Sequence, residues 1–527
     1  MTPAPERACA QLAARQIRRG ALILTVCLAG MVTAMISAYE RTGLDTGGGL
    51  TTLTSNPAIR AVYGIPYNLD VGGGFAVWRA GIYLGVIAAT WTLLTTTRLL
   101  RGEEEWGRWE LVLSAPLPRR HLVAAQLVVI AAVCAALGAA TALAFIAADQ
   151  DAGGAILFGA GLALVALLFC AVAALASQLF DQRRQAAGVA GAVLGGSFLL
   201  RMLADGSTHL GWLRWLTPLG WLEELQAFAA DHVLPLLLLA ASATGAFAAA
   251  FVLVERRDVG AGILEDDASA PPRLRGLHGT LGFASRERLP GFIGWASGVA
   301  AFAFVVGLIT NAFTEAFATD ANLQKAVAQA GFADIVTVPG FVATMAAQLA
   351  VIFSVHAIVS MHVMSTDEES ERIHLVLALP VGRTRLLASH GAASAAAVLG
   401  SMLAGALALW LGVLAGGVDL AFGDVLSSVA NTLPAVALFL ALAVLAHGVR
   451  PQLGGGTLAA LVGAFYVVSF LGPILDLPDW VMSLSPFEHL ALVPVEPADW
   501  AGTAAMVGIA AAAAVGGFAA YRLRDLH

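Results

Sequence analysis

Two segments of this 527-residue chain carry the charge pattern most able to do specific chemistry. The first runs Glu104-Glu105-Trp106-Gly107-Arg108-Trp109-Glu110-Leu111-Val112-Leu113-Ser114-Ala115-Pro116 and continues to Arg119 and Leu122. After an offset of 264 residues, Glu368, Glu369, Arg372, Leu375, Val376, Leu377, Pro380, Arg383 and Leu386 match it without a gap. Nine identities in 19 positions stand far above the roughly one or two expected from average composition, so the chain is internally duplicated. In each copy a Glu precedes an Arg by four residues, the favourable order for an ion pair along a helix. The acidic pair suits a helix N-terminus, Leu-Val-Leu supplies an apolar anchor, and the proline stops or bends the helix before the next span. Such residues recognise a partner; they do not make or break bonds. One reading is an interfacial helix that only turns the chain. The other is a docking element, presented once per half to two copies of a cytoplasmic partner. The second accounts for both copies keeping Glu-Glu-x-x-Arg and Pro-x-x-Arg. Gly107 is matched by Glu371 and Glu110 by His374, so the halves need not dock with equal strength.

Other chemistry is excluded by residue type. A phosphate-binding loop needs G-x-x-x-x-G-K-[ST], and the single lysine, Lys325, sits in Asn-Leu-Gln-Lys-Ala-Val. The chain cannot hydrolyse ATP by that route, so ATP-driven work requires a separate nucleotide-binding subunit. There is no H-E-x-x-H, paired C-x-x-C or G-x-S-x-G, and no catalytic residue or cofactor is expected in this chain. His356 and His362 are six apart, where a helical metal site wants three or four, and no metal site is expected. Gly454, Gly455 and Gly456 follow Pro451 and read as a close approach of helices at the start of a span. Cys27, Cys134 and Cys170 lie in apolar runs and Cys9 precedes the first span, so no disulfide is expected. One lysine also precludes a basic nucleic-acid-binding surface.

The elements that must position these segments follow from composition. Charged residues make up 12% and apolar residues 58%, mean hydropathy is +0.79, and an ordinary soluble domain is about 25% charged. This is an all-α polytopic membrane protein. Apolar runs predict twelve spans near 20–38, 76–97, 121–148, 153–179, 187–204, 232–254, 291–310, 340–364, 386–416, 425–446, 455–475 and 501–521. With the N-terminus inside, 23 of the 29 Lys and Arg residues fall in inner segments and six in outer ones, which places both termini in the cytoplasm. Outer segment 39–75 holds two triple glycines, at 47–49 and 72–74. Trp212, Trp215 and Trp221 suit a helix in the outer interface, as an aromatic belt or a substrate gate.

Fainter echoes, Leu216-Thr217-Pro218 with Leu484-Ser485-Pro486 and Arg257-Asp258-Val259 with Arg524-Asp525-Leu526, keep nearly the same offset. The chain thus divides into a six-helix half at 1–264 with its docking helix near 101–116, a cytoplasmic linker at 265–290, and a second half at 291–527 with its docking helix near 365–380. An even number of spans per half makes the repeats parallel. Midspan positions are nearly free of charge, with Gln348 and Asn431 the notable amides. That weighs against an ion-coupled secondary transporter, the alternative twelve-helix function. The absence of a catalytic constellation weighs against a membrane enzyme or assembly protein.

The two repeated segments, the Arg-Arg-Asp-Val-Gly-Ala-Gly run at 256–262 and the Arg-Asp-Leu near the end resemble the permease subunits of ATP-binding cassette exporters of the ABC-2 (type V) class. More narrowly, the chain is similar over essentially its whole length to double-length actinobacterial permeases linked to antibiotic and polyketide efflux. The resemblance implies a multi-pass permease of the plasma membrane, moving small hydrophobic or amphipathic compounds outward. The motor would be two copies of a cytoplasmic ABC ATPase that hold ATP and Mg. It implies coupling residues Glu104, Glu105, Arg108, Pro116 and Arg119, and Glu368, Glu369, Arg372, Pro380 and Arg383. It also implies a path lined by the second and fifth spans of each half, where Trp91, Thr92, Thr95, Phe198, Gln348, Phe353, Tyr466 and Phe470 are the polar or aromatic candidates.

Overall fold

The computed structural model describes residues 5–42, 57–207, 209–264, 276–319, 336–369, 372–451, 454–471 and 477–524. Among the described residues every regular element is helical, as a lipid-embedded backbone requires, because a helix satisfies its own N–H and C=O groups. The chain divides into two compact units, Met1–Ala270 and Pro271–His527.

In the first unit the long helices are α1 (Pro5–Thr42) and α2 (Gly72–Thr97), then, past a short helix α3 (Arg108–Leu113), α4 (Arg119–Ala147), α5 (Ala152–Leu179) and α6 (Arg183–Asp205). A short α7 (Pro218–Glu224) precedes the last long helix, α8 (Leu234–Arg256). The centre is α5, which packs against α2, α4, α6 and α8. Its Leu162, Val165, Phe169, Cys170 and Ala174 have no exposed surface. Small residues bring its axis close to α4: a Cβ placed on Gly138 would lie 2.3 Å from the Gly159 carbonyl oxygen and 2.8 Å from Ala163 Cβ. With lipid tails as apolar as leucine, such close backbone approach is a principal source of helix association.

The second unit contains α9 (Gly279–Thr319), α10 (Val338–Glu369), the short α11 (Arg372–Leu377), α12 (Arg383–Ala415), α13 (Phe422–Ala430), α14 (Leu433–Val449), α15 (Gly456–Leu471) and α16 (Trp500–Leu523). Its pairings repeat those of the first unit: α9 with α12 as α1 with α4, α10 with α14 as α2 with α5, and α14 with α16 as α5 with α8.

Four differences from the sequence reading have physical causes. Eleven helical stretches among the described residues are long and apolar enough to cross a membrane, and α15, read as the span 455–475, is a shorter apolar helix. The span read at 425–446 is one of those eleven, Phe422–Val449, but a turn at 431–432 parts α13 from α14 where Pro434 has no N–H to donate; beside it Asn431 donates through Nδ2 to the Ala491 carbonyl at 2.7 Å. The first span begins at Pro5 and α9 begins at Gly279, inside the stretch read as linker. The opening turns of both helices bury a small apolar or polar stripe: Ala13 and Ile17 in α1, and Ala284 and Arg288 in α9. Gly72–Gly74, read as loop, form the first turn of α2, where a Cβ on Gly73 would meet the Phe228 ring at 2.8 Å. Residues 47–49, Lys325 and the acidic start of the linker lie outside the described residues.

Candidate functional site

The first repeated segment is not one helix. A π-turn at Arg98–Gly102 and a single turn at Glu103–Glu105 continue α2; then the chain reverses at Trp106-Gly107, with Gly107 at φ +69°, and returns to helix as α3. The left-handed conformation at Gly107 costs an L-residue about 1–2 kcal/mol, so glycine belongs there. The break separates positions 104 and 108 that a continuous helix would stack. The expected Glu104–Arg108 pair is therefore not formed: Arg108 Nη1 lies 2.8 Å from Glu103 Oε1.

Glu104 turns inward instead and is almost wholly buried. Arg257, just past the end of α8, grips it with both fork nitrogens, Nη1 to Oε1 at 2.6 Å and Nη2 to Oε2 at 2.7 Å, the bidentate geometry that adds direction as well as energy. Arg101 donates to Oε2 at 3.0 Å, and the Gly260 N–H donates to Oε1 at 2.8 Å. Arg257 Nε donates to Gln178 at the end of α5 at 2.7 Å. The carbonyls of Gly260 and Ala261 accept from Arg101, and that of Ala261 also from Arg257. That accounts for the run at 256–262: it wraps the end of α5, with Leu264 N–H donating to the Leu179 carbonyl at 2.8 Å. Arg119 donates to the Arg257 carbonyl. Glu105 accepts from the Arg183 N–H at the start of α6, where a carboxylate meets the positive end of the helix dipole. Pro116 lies exposed in the turn between α3 and α4.

The second unit repeats the core of this arrangement. Glu368 in α10 pairs with Arg524, just past α16, and His447 Nε2 lies 3.5 Å from its other oxygen. Ser365 Oγ is 2.9 Å from His447 Nδ1, and Arg383 donates to the Arg524 carbonyl at 2.8 Å. Arg372 and Pro380 are exposed, and the side chain of Glu369 lies outside the described residues. The faces turned outward are those of the short helices: Leu111 is 78% exposed and Leu375, its repeat mate, 76%. Trp106 and Leu379 are also exposed, and Trp106 carries the Arg108 guanidinium 4.5 Å above its ring.

The residues named for the path differ in their surroundings. Thr92 is fully buried, and its hydroxyl donates back to the Ala88 and Ala89 carbonyls of its own helix at 3.0 and 2.9 Å. Phe353 is fully buried against Gly405 of α12. Trp91 lies against Gly20 of α1. Thr95, Gln348 and Tyr466 are half-buried; Phe198 is half-buried with the Arg201 guanidinium 5.3 Å from its ring centre. The Phe470 side chain lies outside the described residues.

A second ionic cluster, at the other end of α6, carried no functional signal in the sequence beyond Arg201 and Asp205. Both are fully buried, 3.1 Å apart, and Arg201 also donates to the Ala61 carbonyl at 2.7 Å. Arg214 bridges Asp205 and Glu224 at 3.4 and 3.0 Å, and the Ile65 N–H donates to Glu223. Burial pushes the Glu223 carboxyl above the ordinary carboxylate range, and burial beside Glu223 and Glu224 pushes the Tyr67 phenol up. A small cleft opens alongside, lined in part by Tyr63, Tyr67, Trp78, Glu223 and Gln226.

A family model described as "Multidrug efflux system permease Rv1217c, C-terminal domain" matches residues 8–254 and 277–522. Its two stretches cover one half of the chain each. The multidrug efflux system permease protein Rv1217c of Mycobacterium tuberculosis (strain ATCC 25618 / H37Rv) is 31% identical over 516 residues, spanning 96% of this chain and 92% of that protein.

Proposed function

The chain belongs to the Rv1217c family of multidrug efflux system permeases, and from that premise we propose that it is the membrane-spanning subunit of an ATP-driven ABC exporter for hydrophobic or amphipathic compounds. It sits in the plasma membrane with both termini in the cytoplasm. It carries no catalytic site and relies on two copies of a cytoplasmic ABC ATPase, which hold ATP and Mg. The observation that carries this reading is the pair of short helices α3 and α11, each presenting a leucine at the same repeat position, Leu111 and Leu375, more than three-quarters exposed. Isolated exposed leucines need no explanation, but two at matching positions on helices flanked by ion pairs supply one surface per half for a repeated partner. With Glu104 and Glu368 turned inward, contact with the ATPase falls to Trp106, Arg108, Leu111 and Pro116, and to Arg372, Leu375, Leu379 and Pro380.

The test is gentle purification of the tagged chain from its native membranes. The expected result is a co-purifying protein with a Walker-A sequence, near two copies per chain, whose hydrolysis of ATP responds to hydrophobic compounds. A chain that emerges alone and stable refutes the docking reading and directs attention to ion-gradient transport.

A further inference from the structure

In the first unit, one residue touches both stems of the loop that carries α3. Glu104, before the loop, is held by the Arg257 side chain, and Arg119, after it, donates to the Arg257 main-chain carbonyl. In the second unit, Arg524 does the same for α11: its side chain pairs with Glu368 and its carbonyl accepts from Arg383. Both arginines stand directly beyond the last long helix of their unit, α8 or α16. The surroundings differ. Arg101 is replaced at the repeat position by Ser365, a histidine touches the second carboxylate, and the carbonyls at 260–261 add a buttress to the first pair. The three-part contact nevertheless recurs. Well-packed apolar side chains often stabilise a buried site as much as an ion pair does; what the guanidinium adds is orientation, through both fork nitrogens on Glu104 for Arg257 and through Glu368 and the His447 carbonyl for Arg524. The exposed helix between the stems is only six residues long and is flanked by the Trp106-Gly107 reversal and the Ser114–Pro116 turn, so its own backbone does not fix its angle.

Resting on the reading of α3 and α11 as docking helices, we infer that Arg257 and Arg524 are positioning residues that clasp both stems of each docking loop and fasten it to the last long helix of the same half. A force applied to α3 or α11 then moves α8 or α16 with it.

The test uses the full chain with its four cysteines replaced by alanine. A spin label is placed at Leu111→Cys or Leu375→Cys, and the protein is reconstituted in phosphatidylcholine/phosphatidylglycerol vesicles. R257M is expected to loosen the label at 111 and leave the one at 375 unchanged; R524M is expected to do the reverse. The swapped pair E368R/R524E restores the second spectrum. Labels that keep their spectra in both methionine variants overturn the clasp. If R257M does not fold, R257K, which keeps the charge and loses the fork, serves instead and is expected to give intermediate mobility; an unchanged spectrum there overturns it equally. In parallel, the purified complex is assayed for dye transported per ATP hydrolysed. R257M and R524M are expected to retain the ATPase subunit but lose at least about fivefold in that ratio, the lower end of a typical coupling free energy. An unaltered ratio overturns the role in coupling. A chain without an ATPase partner, whose labels still loosen, refutes the docking reading while the clasp stands.

Discussion

Replacing Gly138 by alanine tests the close packing of α4 against α5 at the centre of the first unit. The added Cβ would lie 2.3 Å from the Gly159 carbonyl oxygen and 2.8 Å from Ala163 Cβ, about 1 Å inside ordinary contact for such atoms. The obstacle is backbone on a facing helix and cannot swing away as a side chain would. Helices α4 and α5 must separate, and overpacking of this kind costs about 1–3 kcal/mol. Gly188 in α6 is the control, because a Cβ there meets nothing within 4 Å. Alanine at that site removes the helix penalty of glycine and is expected to gain up to about 1 kcal/mol. The two variants carry the same chemical change, so the helix gain cancels and they should differ by the overpacking cost, roughly 1–3 kcal/mol. At about 2–4 °C per kcal/mol for a unit of this size, tryptophan-monitored thermal unfolding in mild detergent separates them clearly. The double variant G138A/G159A should be non-additive, since the sites share one contact. If G138A melts with or above G188A, the close approach of α4 and α5 is refuted.

Further outcomes can be measured in the same preparations. L111D with L375D is expected to abolish co-purification of an ATPase while leaving insertion and melting temperature near those of the unsubstituted chain; retention of the partner would remove both leucines from the interface. R201M leaves buried Asp205 with only the longer Arg214 contact at 3.4 Å and should cost up to about 3–5 kcal/mol, and R201M/D205N should be less destabilised than the single changes sum to. Because burial raises the folded-state Glu223 carboxyl above its unfolded value, the favourable protonated form is present at low pH, and its stabilisation is lost as pH rises from the ordinary carboxylate value through the raised one. Thermal stability of the unsubstituted chain should therefore fall across that window relative to E223Q, which has no proton to lose; parallel profiles would contradict the burial of Glu223.

What the sequence determined by itself was whatever repeats or accumulates along the chain. Scarce charge and long apolar runs established a helical membrane protein, because lipid leaves few other ways to satisfy a backbone. The ungapped match of 104–122 to 368–386 exposed the duplication. Arg257 and Arg524 were visible too, but only as an echo without a role. Tertiary structure decided what the repeated glutamates do. The four-residue spacing of Glu104 and Arg108 pointed to a local pair because helical periodicity is all that sequence spacing encodes. The reversal at Gly107 broke that period, and the nearest strong cation became an arginine 153 residues away. The break between α13 and α14, the burial of Arg288 in a stretch read as solvated linker, and the Arg201–Asp205–Arg214–Glu224 cluster likewise depend on which helix lies alongside. A charged side chain states its cost in its own sequence, but the partner that offsets that cost is chosen by packing.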